Sequence, residues 1–375
     1  MTNINLDTLF AQLDGAIDMP TGGVVPAIQP TTTFVRGTDN VPTSPDHLYS
    51  RDDDDLTRLG ERLLAKAEGG GDALLFPSGM AAVAALLRTV PNGGRIIMQS
   101  GIYWGTTKWA RDFCARRAVT LDEVDLADAS VRDAMSGSAD VVWAETPSNP
   151  YLKTVDINAC AKLANSLSAV LCIDSTAATP VITQPLAHGA DYVMHSATKG
   201  INGHSDVLAG VLVTADAKSE RWSQIKDDRH DAGAVLSPFA AWLLIRGMRT
   251  MPLRVERMCA NAMAVAKAMA DHEAVSHVLY PGLKTDTWHD LARRQMRGGF
   301  GSLLSIRVAS GREGALAAIG KMKLFKRATS LGGVESLVEH RHTIEDTVPD
   351  DLLRLSCGIE SGDDLIADLM QALEG

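Results

Sequence analysis

The sequence predicts an α/β fold, in which a mainly parallel central sheet is covered by helices and is followed by a smaller α+β domain. Between residues 73 and 214, short apolar runs, most of them without internal polar residues, alternate with helical patterns. This alternation is typical of parallel strands that are buried on both faces. From about residue 215 the chain changes to longer helical segments rich in Ala, Met and Arg, and then to an alternating strand at 302–308.

Each apolar run ends at a turn signal, which sets the order of the predicted elements. Strands are predicted at 73–76, 95–98, 119–124, 140–144, 169–173, 192–195 and 208–214. Helices are predicted at about 6–13, 56–64, 80–87, 107–117, 157–166, 217–229 and 312–321, and helical segments are predicted over 236–271. The segment 238–251 is long enough to be a helix that connects two domains.

We divide the chain into three parts. Residues 1–45 are predicted to form an N-terminal arm, because prolines and β-branched residues between 22 and 34 favour extended backbone. Such an arm is expected to contact a neighbouring subunit. Residues 46–235 form the domain with the parallel sheet, and residues 236–375 form the C-terminal domain.

Composition argues against several classes of protein. The chain of 375 residues carries a net charge of −10 without a basic block, which argues against nucleic acid or an anionic membrane as a partner. The apolar runs are too short to span a bilayer, and the N-terminus lacks the pattern of a secretory signal. The five cysteines are scattered without a Cys-x-x-Cys pair, so we expect reduced thiols in a cytoplasmic protein and no metal site.

Polar side chains follow the apolar runs at the points where the runs end. They are Ser78, Tyr103, Glu145, Asn149, Asp174, Ser196 and Lys199. Each alone has a simpler explanation as a turn residue, a helix cap or a surface side chain. In an open α/β sheet, however, ligands bind at the carboxyl ends of the strands, so these residues are candidates for one site.

Lys199 follows a short apolar run and two hydroxyl residues, Ser196 and Thr198. Desolvation at the end of a buried strand favours the neutral amine of a lysine, which can attack a carbonyl group. The two hydroxyls are suited to hold an anion beside it. We therefore hypothesise that Lys199 forms a Schiff base with pyridoxal phosphate (PLP). The alternative is a surface lysine in a glycine-rich turn.

PLP chemistry requires further residue types, and the sequence contains them. The pyridine nitrogen needs a carboxylate beside it, for which Asp174 is the candidate. Tyr103 offers an aromatic face, and the amides of Gly79 and Met80 at a helix start suit a phosphate group. Arg354, in a predicted strand of apolar and small residues, is a candidate to bind a substrate carboxylate, although a structural ion pair is the alternative.

The segment from Tyr49 to Asp55 carries a second group of polar residues. Arg51 is suited to forked contact with a phosphate. The aspartates 52–55 are expected to be a solvated face or the first turn of a helix. A metal-dependent hydrolase built from these aspartates and His47 is an alternative, but no other ligands have a matching spacing. A second alternative is a regulatory protein that binds PLP without turnover.

Several motifs in this order resemble one enzyme family over nearly the whole chain. The chain is similar to the Cys/Met-metabolism branch of fold-type I (aspartate-aminotransferase-like) PLP enzymes, which contains cystathionine γ-synthase, cystathionine β-lyase, cystathionine γ-lyase and methionine γ-lyase. The most specific motifs are His-Ser-Ala-Thr-Lys at 195–199 with Gly-His-Ser-Asp at 203–206, and Ser-Leu-Gly-Gly at 330–333 with Glu-Ser-Leu at 335–337. Four further segments add to them: Tyr-Ser-Arg at 49–51, Ser-Gly-Met at 78–80, Glu-Thr-Pro-Ser-Asn-Pro at 145–150 and Arg-Leu-Ser at 354–356.

The resemblance implies a role for each candidate residue. Lys199 is implied as the Schiff-base lysine and proton shuttle, Asp174 as the partner of the pyridine nitrogen, and Tyr103 as the stacking residue and a second catalytic group. Arg354, with Ser330 and Tyr49, is implied to bind the substrate. The remaining implied cofactor contacts are Ser78, Gly79, Met80, Asn149, Thr176, Ser196, Thr198 and, from a neighbouring subunit, Tyr49 and Arg51. This makes residues 46–235 the PLP-binding domain.

The family pattern also implies the class of reaction and the assembly. We expect a C–S lyase that acts on cystathionine or a similar thioether amino acid by β- or γ-elimination, in a homotetramer of dimers that share active sites. The alternatives are γ-replacement on an activated homoserine and γ-elimination on a less common amino acid. The chain departs from the family at residues 52–57, at Trp104 and at Thr329. Tyr103 is followed by Trp104 and Gly105, whereas Gly-Cys follows this tyrosine in methionine γ-lyase, so the absent cysteine argues against that activity.

Overall fold

Two sheets organise the protein. The computed structural model describes residues 4–44 and 47–374. In this part of the chain, seven strands form the first sheet and five strands form the second. The first sheet contains β1 Asp72–Phe76, β2 Arg95–Gln99, β3 Thr120–Val124, β4 Val141–Glu145, β5 Val170–Asp174, β6 Tyr192–His195 and β7 Gly210–Thr214. The second contains β8 Val275–Leu279, β9 Leu303–Val308, β10 Lys326–Arg327, β11 Leu337–His340 and β12 Leu352–Ser356.

Helices cover these sheets. They are α1 Leu6–Ala11, α2 Asp55–Glu68, α3 Gly79–Leu87, α4 Trp104–Arg117, α5 Ala129–Ala134, α6 Ile157–Ser166, α7 Thr179–Ile182, α8 Glu220–Asp231, α9 Pro238–Met248, α10 Met251–Ala270, α11 His289–Gln295, α12 Gly311–Lys321 and α13 Gly362–Leu373. Within the described residues, none of these helices combines the length and the apolar character that crossing a bilayer requires.

The first sheet is mainly parallel, as predicted. Its strand order is β1-β7-β6-β5-β4-β2-β3, and β7 alone runs antiparallel to its neighbours. All seven predicted strands are present within two residues of their predicted ends. The carboxyl ends of β1, β2, β4, β5 and β6 therefore meet at one edge, which is where the polar side chains were expected. In the second sheet only β10 and β11 pair in parallel, which agrees with the predicted α+β domain.

Apolar cores lie on both faces of the first sheet. Leu74 and Phe76 of β1 pack toward α3 and α8, where Trp222 is buried. Leu75, which points to the opposite face, packs with Leu63 of α2. Because successive side chains of a strand point to opposite faces, this alternation makes three layers. The same pattern predicted a sheet buried on both sides.

The helix predicted at 238–251 is wrong in its extent. α9 ends at Met248, and a separate helix, α10, begins at Met251 with a proline at its second position. Helices usually end before such a proline, because its ring disfavours the helical conformation of the preceding residue. α9 packs in the core beneath the first sheet, whereas α10 contributes side chains to the cores of both sheets. The domain boundary at residue 236 stays a prediction.

The N-terminal arm has little regular secondary structure after its first residues. After a short helical turn at Leu13–Gly15, residues 16–44 contain no helix in the part that the structure describes. Several apolar side chains of this segment are exposed, including Val24 at 75% and Val35 at 79%. The contact of this arm with a neighbouring subunit stays a prediction. Residues 1–3 and 45, which belong to the predicted arm, lie outside the described residues.

Gly210 fixes the distance between β7 and the start of α3. A Cβ atom at this position would lie 2.2 Å from the carbonyl oxygen of Ser78, which is closer than nonbonded atoms can approach. We predict that Gly210→Ala lowers the free energy of unfolding by about 1–3 kcal/mol through overpacking. Urea unfolding at a fixed protein concentration measures this.

Gly320→Ala in α12 is the matched control, because no atom lies within 4 Å of the added methyl group. It is expected to raise the free energy of unfolding by about 0.5–1 kcal/mol. Equal effects of the two substitutions would contradict the steric explanation.

Candidate active site

A cavity of about 210 Å³ lies at the edge where the strands of the first sheet end, and the second sheet closes it from the other side. Twelve of the predicted site residues line it: Ser78, Gly79, Met80, Tyr103, Asn149, Asp174, Thr176, Ser196, Thr198, Lys199, Ser330 and Arg354. Tyr49 and Arg51 do not line it. The structure therefore brings together residues that are up to 276 positions apart in sequence (354 − 78).

Lys199 lies where the two sheets meet. Its Nζ donates a hydrogen bond of 2.7 Å to Oγ of Ser330, which precedes β11. Burial is the main cause that lowers the pKa of Lys199 to about 8, and the positive charge of Arg354 adds to it. A substantial fraction of the amine is therefore neutral near pH 8. This is the state that a nucleophile or a general base requires.

Glycines and a buried arginine shape the turn after Lys199. Arg254 of α10 donates hydrogen bonds of 2.9 Å and 3.0 Å to the carbonyl oxygens of Gly200 and Ile201. Gly203 has a φ of +72°, and a Cβ atom there would collide with the guanidinium group of Arg254. The backbone on the C-terminal side of Lys199 is thus fixed by the neighbouring helix. A lysine held in this way has a defined position for its amine.

Asp174 ends β5 beneath the cavity. Its Oδ1 accepts hydrogen bonds from the backbone N–H of Thr176 at 3.0 Å and from the Thr176 hydroxyl at 2.5 Å. Among the described residues, Oδ2 has no hydrogen-bond partner. Burial raises the pKa of Asp174, and the two hydrogen bonds from Thr176 oppose this. A cation placed against Oδ2 would lower the pKa of the carboxyl group and stabilise its charge.

Glu145 connects two of the predicted ring contacts. Its Oε2 accepts the backbone N–H of Tyr103 at 2.9 Å, and its Oε1 accepts the backbone N–H of Asn149 at 2.7 Å. Burial, followed by the charge of neighbouring Asp174, raises the pKa of Glu145 to about 8. The sequence placed Glu145 at the sheet edge without a specific role. The structure shows that one carboxyl group positions two segments of the cavity wall.

Ser78, Gly79 and Ser196 form one end of the cavity. The Ser78 hydroxyl accepts the N–H of Ala81 at 3.1 Å and caps α3, so the amides at the helix start lie beside the cavity. A Cβ atom on Gly79 would lie 2.9 Å from Cβ of Ser196, so the two segments pack closely. Thr198 also lines this cavity, but its hydroxyl donates to the carbonyl oxygen of Ala209 at 3.1 Å. Ser196 therefore offers the freer hydroxyl.

Arg354 closes the cavity from the second sheet. Its Nη1 donates to Oδ1 of Asn149 at 3.2 Å, and its Nη2 donates to the backbone oxygen of Ser330 at 2.8 Å. Nη2 also lies 2.8 Å from Oε2 of Glu339, whereas the buried Nε has no partner among the described residues. Burial lowers the pKa of Arg354 to about 10, so the group stays charged at neutral pH. Both predicted roles, an ion pair and a carboxylate site, are compatible with this geometry.

Ser330 is held in an unusual backbone conformation. Its φ is +116°, which L-residues rarely adopt and which costs roughly 1–3 kcal/mol. Lys199 binds its hydroxyl and Arg354 binds its carbonyl oxygen. Nearby, a Cβ atom on Gly332 would lie 2.6 Å from the amide nitrogen of Gly200. The Ser-Leu-Gly-Gly segment is therefore shaped to approach the lysine turn closely.

Residues that sequence reasoning missed complete the site. Glu339 and Arg341 lie at the end of β11, and Glu339 is paired directly opposite Arg354 in the sheet. The Thr329 hydroxyl donates to Oε1 of Glu339 at 2.6 Å. The available signal was a charged residue, Glu339, that follows two apolar residues in β11. Its significance depends on the pairing of β11 with β12, which local sequence does not reveal.

The four aspartates after Arg51 have separate partners. Asp52 contacts His230 at 2.7 Å, Asp53 pairs with Arg58, Asp54 caps α2, and Asp55 contacts His47 at 3.0 Å. Asp53 and Asp54 are buried, so the prediction of a solvated face is wrong for these two. Asp55 lies in the first turn of α2, as predicted. The aspartates therefore serve the start of this helix and its contacts.

Comparison with known proteins identifies the family. Residues 7–374 match the family described as Cys/Met metabolism PLP-dependent enzyme. The chain belongs to this family. PLP is therefore its cofactor, and the fold is the α/β fold of PLP-dependent cystathionine synthases and lyases.

Relatives with different activities resemble the chain. It is 43% identical to cystathionine gamma-synthase of Mycobacterium tuberculosis over 335 residues, which cover 87% of this chain and 86% of that protein. It is 35% identical to cystathionine beta-lyase of Coxiella burnetii, with 98% of each covered. The crystal structure of metB from Corynebacterium glutamicum superposes with a TM-score of 0.94 at 36% identity, over 99% of this chain and 98% of that one.

The cavity fits PLP on three observations. Within the described residues, only Oδ1 of Asp174 accepts a hydrogen bond, which leaves Oδ2 available, as a carboxylate beside a pyridine nitrogen requires. The start of α3 and the Ser196 hydroxyl offer donors for a phosphate group. Gly105 leaves room for the Tyr103 ring, because a Cβ atom there would lie 2.6 Å from Cε1 of the ring. Trp104, the departure from the family pattern, is 38% exposed and does not line the cavity.

The lowered pKa of Lys199 gives a testable pH dependence. We predict that the rate at which cofactor-free protein takes up PLP rises with pH and levels off above about 8, because the neutral amine reacts. The appearance of the visible absorbance band measures this rate. Since Arg354 contributes to the lowered pKa, Arg354→Gln is expected to move the midpoint to higher pH. A rate that still rises at pH 10, as for an ordinary lysine with a pKa of about 10.4, would contradict the assignment.

Proposed function

We propose that the protein is a C–S lyase that eliminates a thiol from cystathionine or a similar thioether amino acid. The observation that carries the proposal is the position of Lys199, whose amine lies in one cavity with Asp174 and Arg354. The products are a thiol, ammonia and a 2-keto acid. Retention of this combination also argues against a protein that binds PLP without turnover.

Each residue has a separate part in the reaction. Arg354 binds the substrate α-carboxylate through its guanidinium group, with the backbone at Ser330 beside it. The neutral amine of Lys199 takes the α-proton and becomes an ammonium group. When bound, PLP supplies an electron sink that stabilises negative charge at the α-carbon. Tyr103, which lines the cavity, would pack against the cofactor ring and assist proton transfer.

The remaining cavity residues hold the cofactor. Asp174, supported by Thr176, would place its negative charge beside the pyridine nitrogen, and Asn149 would hold the ring hydroxyl. The residues at the helix start and in the lysine motif would bind the phosphate group: Ser78, Gly79, Met80, Ser196 and Thr198. These groups are rigidly placed before the substrate enters, so little reorganisation is needed during the reaction.

The position of the leaving group distinguishes the two possible eliminations. In β-elimination the Cβ–S bond breaks directly after loss of the α-proton, and the thiolate takes a proton from the ammonium group of Lys199. In γ-elimination a second proton leaves Cβ before the Cγ–S bond breaks. Hydrolysis of the unsaturated amino acid then gives ammonia with pyruvate in the first case and with 2-oxobutyrate in the second.

A γ-replacement on an activated homoserine is the second candidate. The relatives named cystathionine gamma-synthase share 42–43% of their residues with the chain, against 35–36% for the relatives named as lyases. In this reaction the Cγ–O bond breaks, the acyloxy group leaves as a carboxylate, and a thiol adds at Cγ, so no keto acid is released. A γ-elimination on a less common amino acid would use the same residues.

Product analysis tests the proposal. We predict that the purified enzyme releases a keto acid and a thiol from cystathionine, and that Lys199→Ala abolishes this activity together with the borohydride-reducible visible band. The assay compares pyruvate with 2-oxobutyrate over thioether, O-acyl-homoserine and oxyamine amino acids. Thioether formation from an O-acyl-homoserine and cysteine, without keto acid from cystathionine, would establish replacement instead. No product from any of them would contradict both candidates.

We also infer a homotetramer of dimers with shared active sites, in the cytoplasm. Tyr49 is 44% exposed, and the Arg51 guanidinium group lies 5.5 Å from the centre of its ring, outside the cavity. These two residues and the exposed apolar side chains of the arm support contact with a second copy, in which they reach the phosphate and substrate. All five cysteines lie in the described part of the chain and are free and buried, which supports a reducing compartment.

Mixing two inactive variants tests the shared site. We predict that Lys199→Ala and Arg51→Ala are each inactive, whereas coexpression of the two restores activity. Only the hybrid dimer contains a site with both natural residues. Random assembly makes about half of the dimers hybrids, and one of the two sites in each hybrid is intact, so about a quarter of wild-type activity is expected. Differently tagged chains verify that hybrids form. Hybrids without activity, or a fully active Arg51→Ala protein, would contradict sharing through Arg51.

A further inference from the structure

One carboxylate is shared between two buried arginines beside the cavity. Oε2 of Glu339 lies 2.8 Å from Nη2 of Arg354 and accepts a hydrogen bond of 2.9 Å from Nη1 of Arg341. Both arginine side chains are almost fully buried, at 3% and 1% exposure. The other oxygen of Glu339 accepts the Thr329 hydroxyl. Because Thr329 uses Oε1, both arginines contact the same oxygen of Glu339, Oε2.

The charges around this carboxylate determine how much of the Arg354 cation remains for a ligand. A single buried pair of Glu339 and Arg354 would be close to neutral. Arg341 contacts the same oxygen and therefore draws part of the negative charge away from Arg354. Arg341 also has a second acid, Glu345, at 3.3 Å, which is 24% exposed. Two acids, Glu339 and Glu345, thus face two arginines, and Glu339 divides its negative charge between both arginines. Glu339 therefore does not fully neutralise the charge of Arg354.

The geometry leaves Arg354 oriented for a ligand. Asn149 and the Ser330 carbonyl oxygen fix its guanidinium plane without adding charge. The Nε atoms of Arg354 and of Arg341 are both buried and have no partner among the described residues. The Nη atoms of Arg341 donate to two acids, Glu339 and Glu345, whereas those of Arg354 also donate to two neutral groups. The two arginines therefore have different tasks, although they share a partner.

We propose that Arg341 is a positioning residue for the substrate α-carboxylate, because it shares Glu339 with Arg354 and thereby preserves the positive charge of Arg354. The inference rests on the proposed role of Arg354. Arg341 also lines the cavity, but its Nη atoms are paired with Glu339 and Glu345, so in this arrangement the substrate carboxylate binds Arg354. A purely structural Arg341 would support the fold without affecting the preference of the site for carboxylates.

The test compares two ligands that differ only by the carboxylate. L-Alanine and ethylamine both react with PLP-loaded enzyme and change its visible spectrum, but neither carries a leaving group. We expect Arg341→Gln to weaken the binding of L-alanine by about tenfold, which corresponds to one charge-assisted hydrogen bond, and to leave ethylamine binding unchanged. Arg341→Lys keeps the charge and is expected to retain most of the L-alanine affinity.

A second substitution separates charge sharing from direct contact. In Glu339→Gln no acid competes for Arg354, so adding Arg341→Gln is expected to leave L-alanine binding unchanged. This comparison also decides the question if Arg341→Gln alone does not fold, because the double variant leaves no unpaired charge on Glu339. Arg307→Gln is the matched control, since Arg307 pairs with Asp351 on the same sheet and does not line the cavity. It is expected to bind both ligands as wild type does.

Several results would overturn the inference. Equal weakening of both ligands by Arg341→Gln would show a structural role. A loss of L-alanine affinity in the Glu339→Gln background would show direct contact with the carboxylate. Wild-type enzyme without a preference for L-alanine over ethylamine would remove the role of Arg354 as well. An enzyme that binds L-alanine as expected but cleaves no C–S bond would contradict the proposed lyase and leave this inference intact.

Discussion

The hydrogen bonds of Arg354 and Lys199 across the cavity join the two sheets, and the site depends on them. Arg354 belongs to the second sheet and contacts Asn149, which follows β4 of the first. Lys199 follows β6 of the first sheet and contacts Ser330 of the second. Segments that follow the first sheet supply most of the polar groups, and the second sheet and its connections supply Thr329, Ser330, Arg341 and Arg354. The site therefore forms only where the carboxyl edge of the first sheet meets the second sheet.

This arrangement explains why the cavity is polar but well ordered. The strands of the first sheet bring acids and hydroxyls to their carboxyl ends, where the backbone leaves the sheet. The acids there are largely satisfied by backbone N–H groups and by Thr176. Burial raises the pKa of both Glu145 and Asp174, so a cation placed beside Asp174 would be bound favourably. The pocket is therefore prepared for a protonated ring.

The sequence predicts the first sheet and its edge well, because both depend on local patterns. Apolar runs reveal the strands, and the polar residues that follow them reveal the candidate site. Glu339 and Arg341 escape this reasoning, since their importance follows from the pairing of β11 with β12. The end of α9 at Met248 was also missed, although Pro252 was a signal. The burial of Asp53 and Asp54 depends on packing around α2, which a charge run does not show.

The fixed positions of Lys199, Asp174 and Arg354 have a consequence for stereochemistry. A substrate whose amine is at the cofactor, whose carboxylate is at Arg354 and whose α-hydrogen faces Lys199 has three of its four substituents assigned. The fourth substituent of the α-carbon is the side chain, and only one direction in the site remains for it. In the mirror-image amino acid, the hydrogen and the side chain would exchange places, and the hydrogen would point away from the base. Under the roles proposed for these residues, the contacts of Ser330 with Lys199 and Arg354 would let the site select one of the two enantiomers.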